Sequence, residues 1–116
     1  MTKLQSSTAV HNLLADQPSA LNAEQFDNLL QLPGLRIERI ASMGQASAAD
    51  HWYDQDEHEW LMLLQGRAQL QLQDGSLIQL NQGDSYFLPA HCRHRVHWTD
   101  PEQLTLWLAV FISPKQ

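Results

Sequence analysis

The chain has 116 residues, which suits one folded domain and leaves no room for a second core of ordinary size. Apolar residues make up 43% of it, enough to fill one core, and charged residues make up only 17%, which argues against wholesale disorder. The formal net charge of −6 argues against binding to nucleic acid or to an anionic membrane surface.

Three features of the sequence bear on the cellular location of the protein. The longest apolar stretch, Leu104 to Ile112, has about half the length that a membrane-spanning helix needs. Cys92 is the single cysteine, so no disulfide can form within the chain. The first residues are not followed by the apolar segment of a secretory signal peptide. We therefore predict a cytoplasmic location and no membrane partner.

Residues 1–33 are predicted to form an N-terminal helical extension. Asn22 is a suitable N-cap, and Gln25 follows three residues later, as in a capping box. Pro33 and Gly34 are then expected to end the helix. Four apolar residues of this segment recur at helical spacing: Leu21, Phe26, Leu29 and Leu30.

From residue 34 to residue 116 the apolar residues change to a period of two, which predicts a β-domain. Ala68, Leu70 and Leu72 alternate with glutamines, and the Asp74-Gly75 pair behind them is a strong hairpin signal. Many short strands are typical of an antiparallel sandwich or barrel, and closure into a barrel would hide the strand edges. The predicted strands cover residues 35–41, 59–65, 68–72, 77–80, 86–88, 94–98 and 104–112.

Histidines concentrate in two windows of the chain, and the first window is also rich in carboxylates. Imidazole and carboxylate ligands together suit divalent transition metals. The alternative is a solvated acidic loop followed by a polar hairpin, and composition alone does not separate the two. The first window contains His51 and His58, and the second contains His91, His94 and His97.

The spacing of these residues resembles the two motifs of the cupin family of small β-barrels. Cupin sequences carry a first motif G-x5-H-x-H-x3,4-E-x6-G and a second motif G-x5-P-x-G-x2-H-x3-N. In this chain Glu59 is followed by six residues and then Gly66. Gly83 is likewise followed by five residues and then Pro89, and His94 falls where the second motif has its histidine.

The resemblance covers roughly residues 35–112 and implies an all-β fold, a cupin-like antiparallel β-barrel of the double-stranded β-helix or jelly-roll type. It also implies a metal site, although only two of the four family ligands are present, Glu59 and His94. Tyr53 and Gln55 stand where the first motif has its histidines. Other departures are Ser47 for the opening glycine, His91 for the glycine of the second motif and Trp98 for its asparagine.

From these residues we predict a divalent transition metal held by Glu59, His94 and Gln55. A strand sends alternate side chains to one face, so Gln55 and Glu59 can share an inward direction. The amide oxygen of Gln55 is a weaker ligand than imidazole, so the set would suit a harder ion and bind it less tightly. One of three further side chains would complete the site or line the substrate pocket: Tyr53, His51 or His91.

Trp98 shares its strand parity with His94 and Val96. We therefore predict that its indole faces the barrel interior and narrows the cavity there.

Two functions stay open on the sequence. In the first, a small cupin-type protein binds a divalent metal and a small organic molecule in the barrel pocket, and a metal-dependent enzyme is one form of this function. In the second, a metal-free binding or sensing module uses the same side chains as a hydrogen-bonding, aromatic pocket. The fold does not choose the reaction, so no catalytic residue is assigned. The apolar strand at Leu104 to Ile112 and the four tryptophans also predict a homodimer, which the resemblance implies too.

Overall fold

The structure is a computed structural model that describes residues 10–114. This part of the chain contains eight strands and no helix, and therefore no helix that could cross a membrane. The all-β prediction is confirmed, and every strand predicted beyond residue 34 is present with each end within one residue of its expected position. The strands are β1 (Gln25–Leu32), β2 (Leu35–Ser42), β3 (His58–Gln65), β4 (Arg67–Leu72), β5 (Leu77–Asn81), β6 (Ser85–Leu88), β7 (His94–Thr99) and β8 (Thr105–Ile112).

The strands form two antiparallel sheets that pack against each other. One sheet has the order β1-β2-β8-β3-β6 and the other has the order β5-β4-β7. Side chains from both sheets, such as Leu61, Leu70 and Trp107, share one buried core. The molecule is thus a jelly roll of two sheets. The predicted closure into a barrel is wrong, because the ladders of the described residues end at β1 and β6 in one sheet and at β5 and β7 in the other.

The predicted N-terminal helical segment is wrong where the structure describes it, and residues 1–9 lie outside the described residues. Strand β1 pairs with β2, and the two residues between them, Pro33 and Gly34, form a hairpin turn. Gly34 has a φ of 77°, and proline followed by such a glycine is the signature of a type II turn. A register shift between Asn28 and Leu30 interrupts the period of two. The apolar residues of β1 therefore imitate helical spacing.

The face of the five-stranded sheet that points away from the core is apolar, and we call it the outer face. Along β3, the residues of the outer face alternate with buried residues such as Leu61 and Leu63. Trp60 lies at its centre, opposite Phe87 on one side and Val110 on the other, and the Phe87 side chain is 51% exposed. The half-buried and exposed apolar residues of the outer face include Ile37, Trp60, Met62, Phe87, Leu108, Val110 and Ile112.

Gly66 makes the turn from β3 to β4 and has a φ of 91°. A Cβ atom at this position would lie only 2.6 Å from the Cα atom of Thr105 and 2.8 Å from the carbonyl oxygen of Leu104. The glycine that follows Glu59 in the first motif is therefore required by a close approach of backbone to backbone at the start of β8.

Candidate functional site

Glu59 and His94 reach the same cavity from different sheets. Glu59 lies on β3, and His94 is the first residue of β7. The Oε1 atom of Glu59 is 3.7 Å from the Nε2 atom of His94. Glu59 is 7% exposed and His94 is 5% exposed. Two buried polar groups, far apart in the sequence, therefore meet where the sheets face each other.

The cavity beside this pair has a volume of about 90 Å³. Its aromatic walls include Phe26, Trp107 and Phe111, and aliphatic side chains such as Leu61 and Leu70 complete them. Its polar lining consists of Glu24, Tyr53, Gln55, Glu59 and His94.

The imidazole of His94 is held in one orientation by the backbone. Its Nδ1 atom is 2.9 Å from the carbonyl oxygen of Cys92, which can only accept a hydrogen bond. Nδ1 therefore carries the proton, and the lone pair of Nε2 faces Glu59 and the cavity. Burial lowers the pKa of His94, although the Cys92 carbonyl opposes this shift, so the ring is neutral near pH 7.

The carboxyl group of Glu59 is also held in a defined environment. Burial raises its pKa from 4.5 to about 7, although the amide of Gln55 opposes this shift by donating from Nε2 to Oε1 over 3.1 Å. Near neutral pH the group thus exists in both protonation states. A carboxyl group with such a pKa can give a proton to a bound molecule or take one from it.

Tyr53 lies against His94 at the edge of the cavity. Its N–H donates to the carbonyl oxygen of His94 over 2.7 Å, and the two rings stack with centroids 5.4 Å apart. Burial raises the pKa of the Tyr53 phenol, and the carboxylates of Glu24 and Glu59 raise it further. The phenol therefore stays protonated at neutral pH and is a poor ligand for a metal ion.

Neither His51 nor His91 lines the cavity. His51 is exposed and packs edge-on against the Tyr53 ring, with centroids 4.9 Å apart. His91 is exposed and contacts two carboxylates, with Nδ1 2.7 Å from Asp54 and Nε2 3.1 Å from Asp56.

The backbone of His91 explains why the second motif has glycine at this place. His91 has a φ of 63°, a conformation that glycine adopts without cost. Its N–H donates to the carbonyl oxygen of Gln55 over 2.8 Å. His91 therefore secures the segment that carries Gln55 to the cavity.

Trp98 does not face the cavity, and the predicted inward direction is wrong. Val96 lies opposite Leu70, but the next ladder pair joins Trp98 to Gln69, so β7 contains an extra residue between them. Such a bulge shifts the alternation of side chains. The indole of Trp98 lies outside the core, with its ring centroid 5.9 Å from the guanidinium carbon of Arg67.

Glu24 lines the cavity, although sequence reasoning assigned it to the helical segment. One carboxylate oxygen accepts a hydrogen bond of 2.8 Å from the Ser42 hydroxyl, which in turn accepts one of 3.2 Å from the indole N–H of Trp107. The sequence carries no clear signal that could have placed Glu24, because the register shift between Asn28 and Leu30 interrupts the alternation of apolar and polar residues in β1.

The side chains of the cavity do not fit a tightly bound transition metal of the kind that the motif resemblance implies. A catalytic site of that kind uses about three protein ligands. Among residues 10–114, no three His, Cys, Asp or Glu side chains are grouped so that they could hold an ion. Three strong donors line the cavity, Glu24, Glu59 and His94, but they are not grouped closely enough to hold one ion. The amide N–H of Gln55 already donates to Glu59, and Tyr53 carries its proton.

Comparison with known proteins gives a family and structural neighbours. A family model described as a cupin domain matches residues 40–111. The crystal structure of a protein from Ralstonia eutropha JMP134, provisionally named a mannose-6-phosphate isomerase, is 43% identical in sequence and has a TM-score of 0.87. The alignment covers 90% of this chain and 98% of that one.

Two further solved structures are less than 20% identical to this chain and show the shared fold alone. A conserved protein of unknown function from Streptococcus pyogenes is 17% identical with a TM-score of 0.74, over 94% of this chain and 90% of that chain. A cupin superfamily protein from Desulfitobacterium hafniense DCB-2 is 18% identical with a TM-score of 0.69, over 83% of each chain. No curated protein matches this chain significantly.

Proposed function

This chain belongs to the cupin family, and from that premise we propose that its cavity binds a small organic molecule without a resident metal ion. The observation that carries the proposal is the pairing of Glu59 with His94 at 3.7 Å in the cavity, with no third metal-binding side chain grouped with them in the part of the chain that the structure describes. A ligand group that contacts both side chains meets a carboxyl group that can donate or accept a proton and an imidazole Nε2 that accepts one. The aromatic and aliphatic walls surround these contacts with apolar surface, which strengthens them.

The name of the Ralstonia protein suggests a sugar phosphate as one possible ligand, and two features of this cavity argue against it. Its volume of about 90 Å³ is small beside the roughly 300–1,000 Å³ of ordinary ligand pockets. Its lining contains no lysine or arginine, the side chains that bind phosphate groups through charge-assisted hydrogen bonds. The part of an isomerase reaction that this cavity suits is the transfer of a proton, through Glu59.

A second candidate is a cupin that binds a divalent metal through Glu59, His94 and Gln55. The observation that favours it is the hydrogen bond between His94 Nδ1 and the Cys92 carbonyl, because metal-binding histidines commonly hold their second nitrogen in this way. The distance between Glu59 and His94 would let one ion contact both, but the neutral amide of Gln55 would add little affinity.

Metal content and melting temperature separate the two candidates. We expect protein purified without a metal-affinity tag to contain far less than one equivalent of any divalent metal by elemental analysis. We also expect its melting temperature to be unchanged by a chelator, because an ion that is absent adds no stability to the folded state. One equivalent of metal that is lost in His94→Ala, together with a lower melting temperature in chelator, would establish the metal-binding candidate instead.

We also propose that the chain forms a cytoplasmic homodimer through the outer face. The lone Cys92 offers no disulfide, which supports the compartment. Trp60, Phe87 and Val110 form adjacent cross-strand contacts on the outer face, and a continuous apolar patch of this kind marks an interaction site. The simplest partner of the outer face is the outer face of a second copy of the chain, because two-fold symmetry brings the same surface of both chains into contact.

Val110→Lys is expected to convert the dimer into a monomer, because it places a charge at the centre of the buried contact. Light scattering should give twice the chain mass of 13.3 kDa for the wild type and the chain mass for the variant. Leu77→Lys is the matched control, since Leu77 is an apolar residue, 50% exposed, on the other sheet. A wild-type monomer at micromolar concentration would contradict the proposal.

A further inference from the structure

The charged side chains that line the cavity are acidic. Its lining contains two carboxyl groups, Glu24 and Glu59, and no lysine or arginine. Glu59 is held by Gln55 through Oε1, and Glu24 is held by the Ser42 hydroxyl through Oε2. Each carboxyl group therefore keeps a second oxygen for which the described residues provide no hydrogen bond. These oxygens remain available to a ligand.

One arginine lies close to a wall of the cavity. The guanidinium carbon of Arg36 is 3.8 Å from the centroid of the Phe111 ring. Its guanidinium group forms ion pairs with Glu38 and with Glu57, the latter at 2.9 Å. Two carboxylates outside the cavity thus pair with this arginine, although its charge still opposes the rise in the pKa of Glu59.

Aromatic rings surround the remaining space. Phe26, Tyr53, Trp107 and Phe111 all line the cavity, and the exposed side chains of Phe26 and Tyr53 lie at its mouth. Aromatic rings attract a cation through their negative faces, and several rings together are the usual environment for alkylated ammonium groups. A volume of about 90 Å³ suits a compact headgroup of this kind, with any further part of the molecule outside the mouth.

We propose that the cavity takes a small organic cation, whose positive headgroup lies between Glu24 and Glu59 and against the aromatic walls. This inference rests on the proposed small-molecule function and names the chemical class of the ligand. An alkylammonium group offers no lone pair, so it makes no use of His94 Nε2 as a partner unless it carries an N–H. A protonated amine therefore pairs with more of the polar groups in the cavity than a quaternary ammonium ion does.

Two probes of similar size and shape test the charge requirement: tetramethylammonium and neutral 2-methylpropan-2-ol. Each is titrated into the full chain at about pH 8, with heat and the NMR signals of His94 and Tyr53 as readouts. We expect tetramethylammonium to bind saturably at one site, and about tenfold more tightly than the neutral probe. We expect trimethylammonium, which carries an N–H, to bind more tightly still.

Variants locate the site. Glu24→Gln and Glu59→Gln are each expected to weaken tetramethylammonium binding about tenfold, while Glu102→Gln, on an exposed loop, changes it by less than about twofold. Thermal melting verifies that each variant is folded before its affinity is compared. Two independent carboxylate variants keep the test valid if one of them fails to fold.

Several outcomes would overturn the inference. Equal binding of the charged and neutral probes would reject the cation and leave the small-molecule function in place. Binding of tetramethylammonium that both carboxylate variants leave unchanged would place the cation elsewhere. Saturable binding of the neutral probe alone would also reject the inference. Metal content tests the proposed function separately, so a failure of that function can be distinguished from a failure of the cation inference.

Discussion

Glu59→Gln is expected to make the protein more stable by about 3 kcal/mol at about pH 8. Burial raises the pKa of Glu59 from 4.5 to about 7. Each pKa unit corresponds to about 1.4 kcal/mol of differential free energy, so the ionised group costs the folded state about 3 kcal/mol. Glutamine carries no charge, and its side-chain oxygen can still accept the hydrogen bond from Gln55.

The same shift fixes the pH dependence of the wild type. Between the ordinary pKa of 4.5 and the folded value of about 7, the folded chain holds the Glu59 proton and the unfolded chain has released it. The free energy of unfolding therefore falls as the pH rises through this window and levels off above it. Glu59→Gln should lose this decline and should match the wild type near the lower end of the window.

Chemical denaturation at a series of pH values measures both effects, with protein concentration held constant because a dimer would otherwise change the result. Glu102→Gln is the matched control, since Glu102 is exposed and the substitution should leave the profile unchanged. A variant that is less stable than the wild type at about pH 8 would contradict the prediction. That result would mean that a bound cation or metal stabilises the carboxylate in the folded protein.

A carboxyl group that costs the folded state this much indicates a function for Glu59. A buried acidic side chain is rare where the only role of a residue is to pack the core. At a binding or catalytic site, by contrast, such a loss of stability is commonly tolerated. The neighbouring His94 is also buried, and its Nε2 atom has no hydrogen bond in the described part of the chain. The two groups together support a ligand that contacts both of them more strongly than either does alone.

The strands beyond residue 34 could be predicted because each sheet buries one face. Apolar residues therefore recur at every second position along these strands. The meeting of Glu59 with His94 followed from the resemblance to the family motifs, and the two side chains do lie 3.7 Å apart. Their roles, and that of Gln55, remain predictions. What ligand they bind depends on the shape and charge of a cavity that no local pattern describes.

The errors have particular physical causes. The Pro33-Gly34 pair ends a helix or turns a hairpin equally well, and only pairing with β2 decides between them. That error also hid Glu24, which the cavity receives from the segment before β1. Trp98 was misplaced because the bulge in β7 depends on the register with β4, which the sequence of β7 alone does not contain.

Gly66→Ala is expected to destabilise the fold by about 4 kcal/mol. Its φ of 91° costs a residue with a side chain about 1–2 kcal/mol. The added Cβ would also meet the Cα atom of Thr105 at 2.6 Å and the carbonyl oxygen of Leu104 at 2.8 Å. These are backbone atoms of the segment where β8 begins, so relief requires β8 to move, and overpacking of this kind costs about 1–3 kcal/mol more.

Gly83→Ala is the matched control, because it isolates the conformational part of this cost. Gly83 has a nearly identical φ of 89°, yet no atom lies within 4 Å of a Cβ built there. Its alanine variant should lose only about 1–2 kcal/mol in the same denaturation experiment. Equal losses in the two variants would contradict the steric argument. A larger loss at Gly66 would show that the glycine of the first motif is required by the contact between the β3–β4 turn and β8, which sets where β3 presents Glu59.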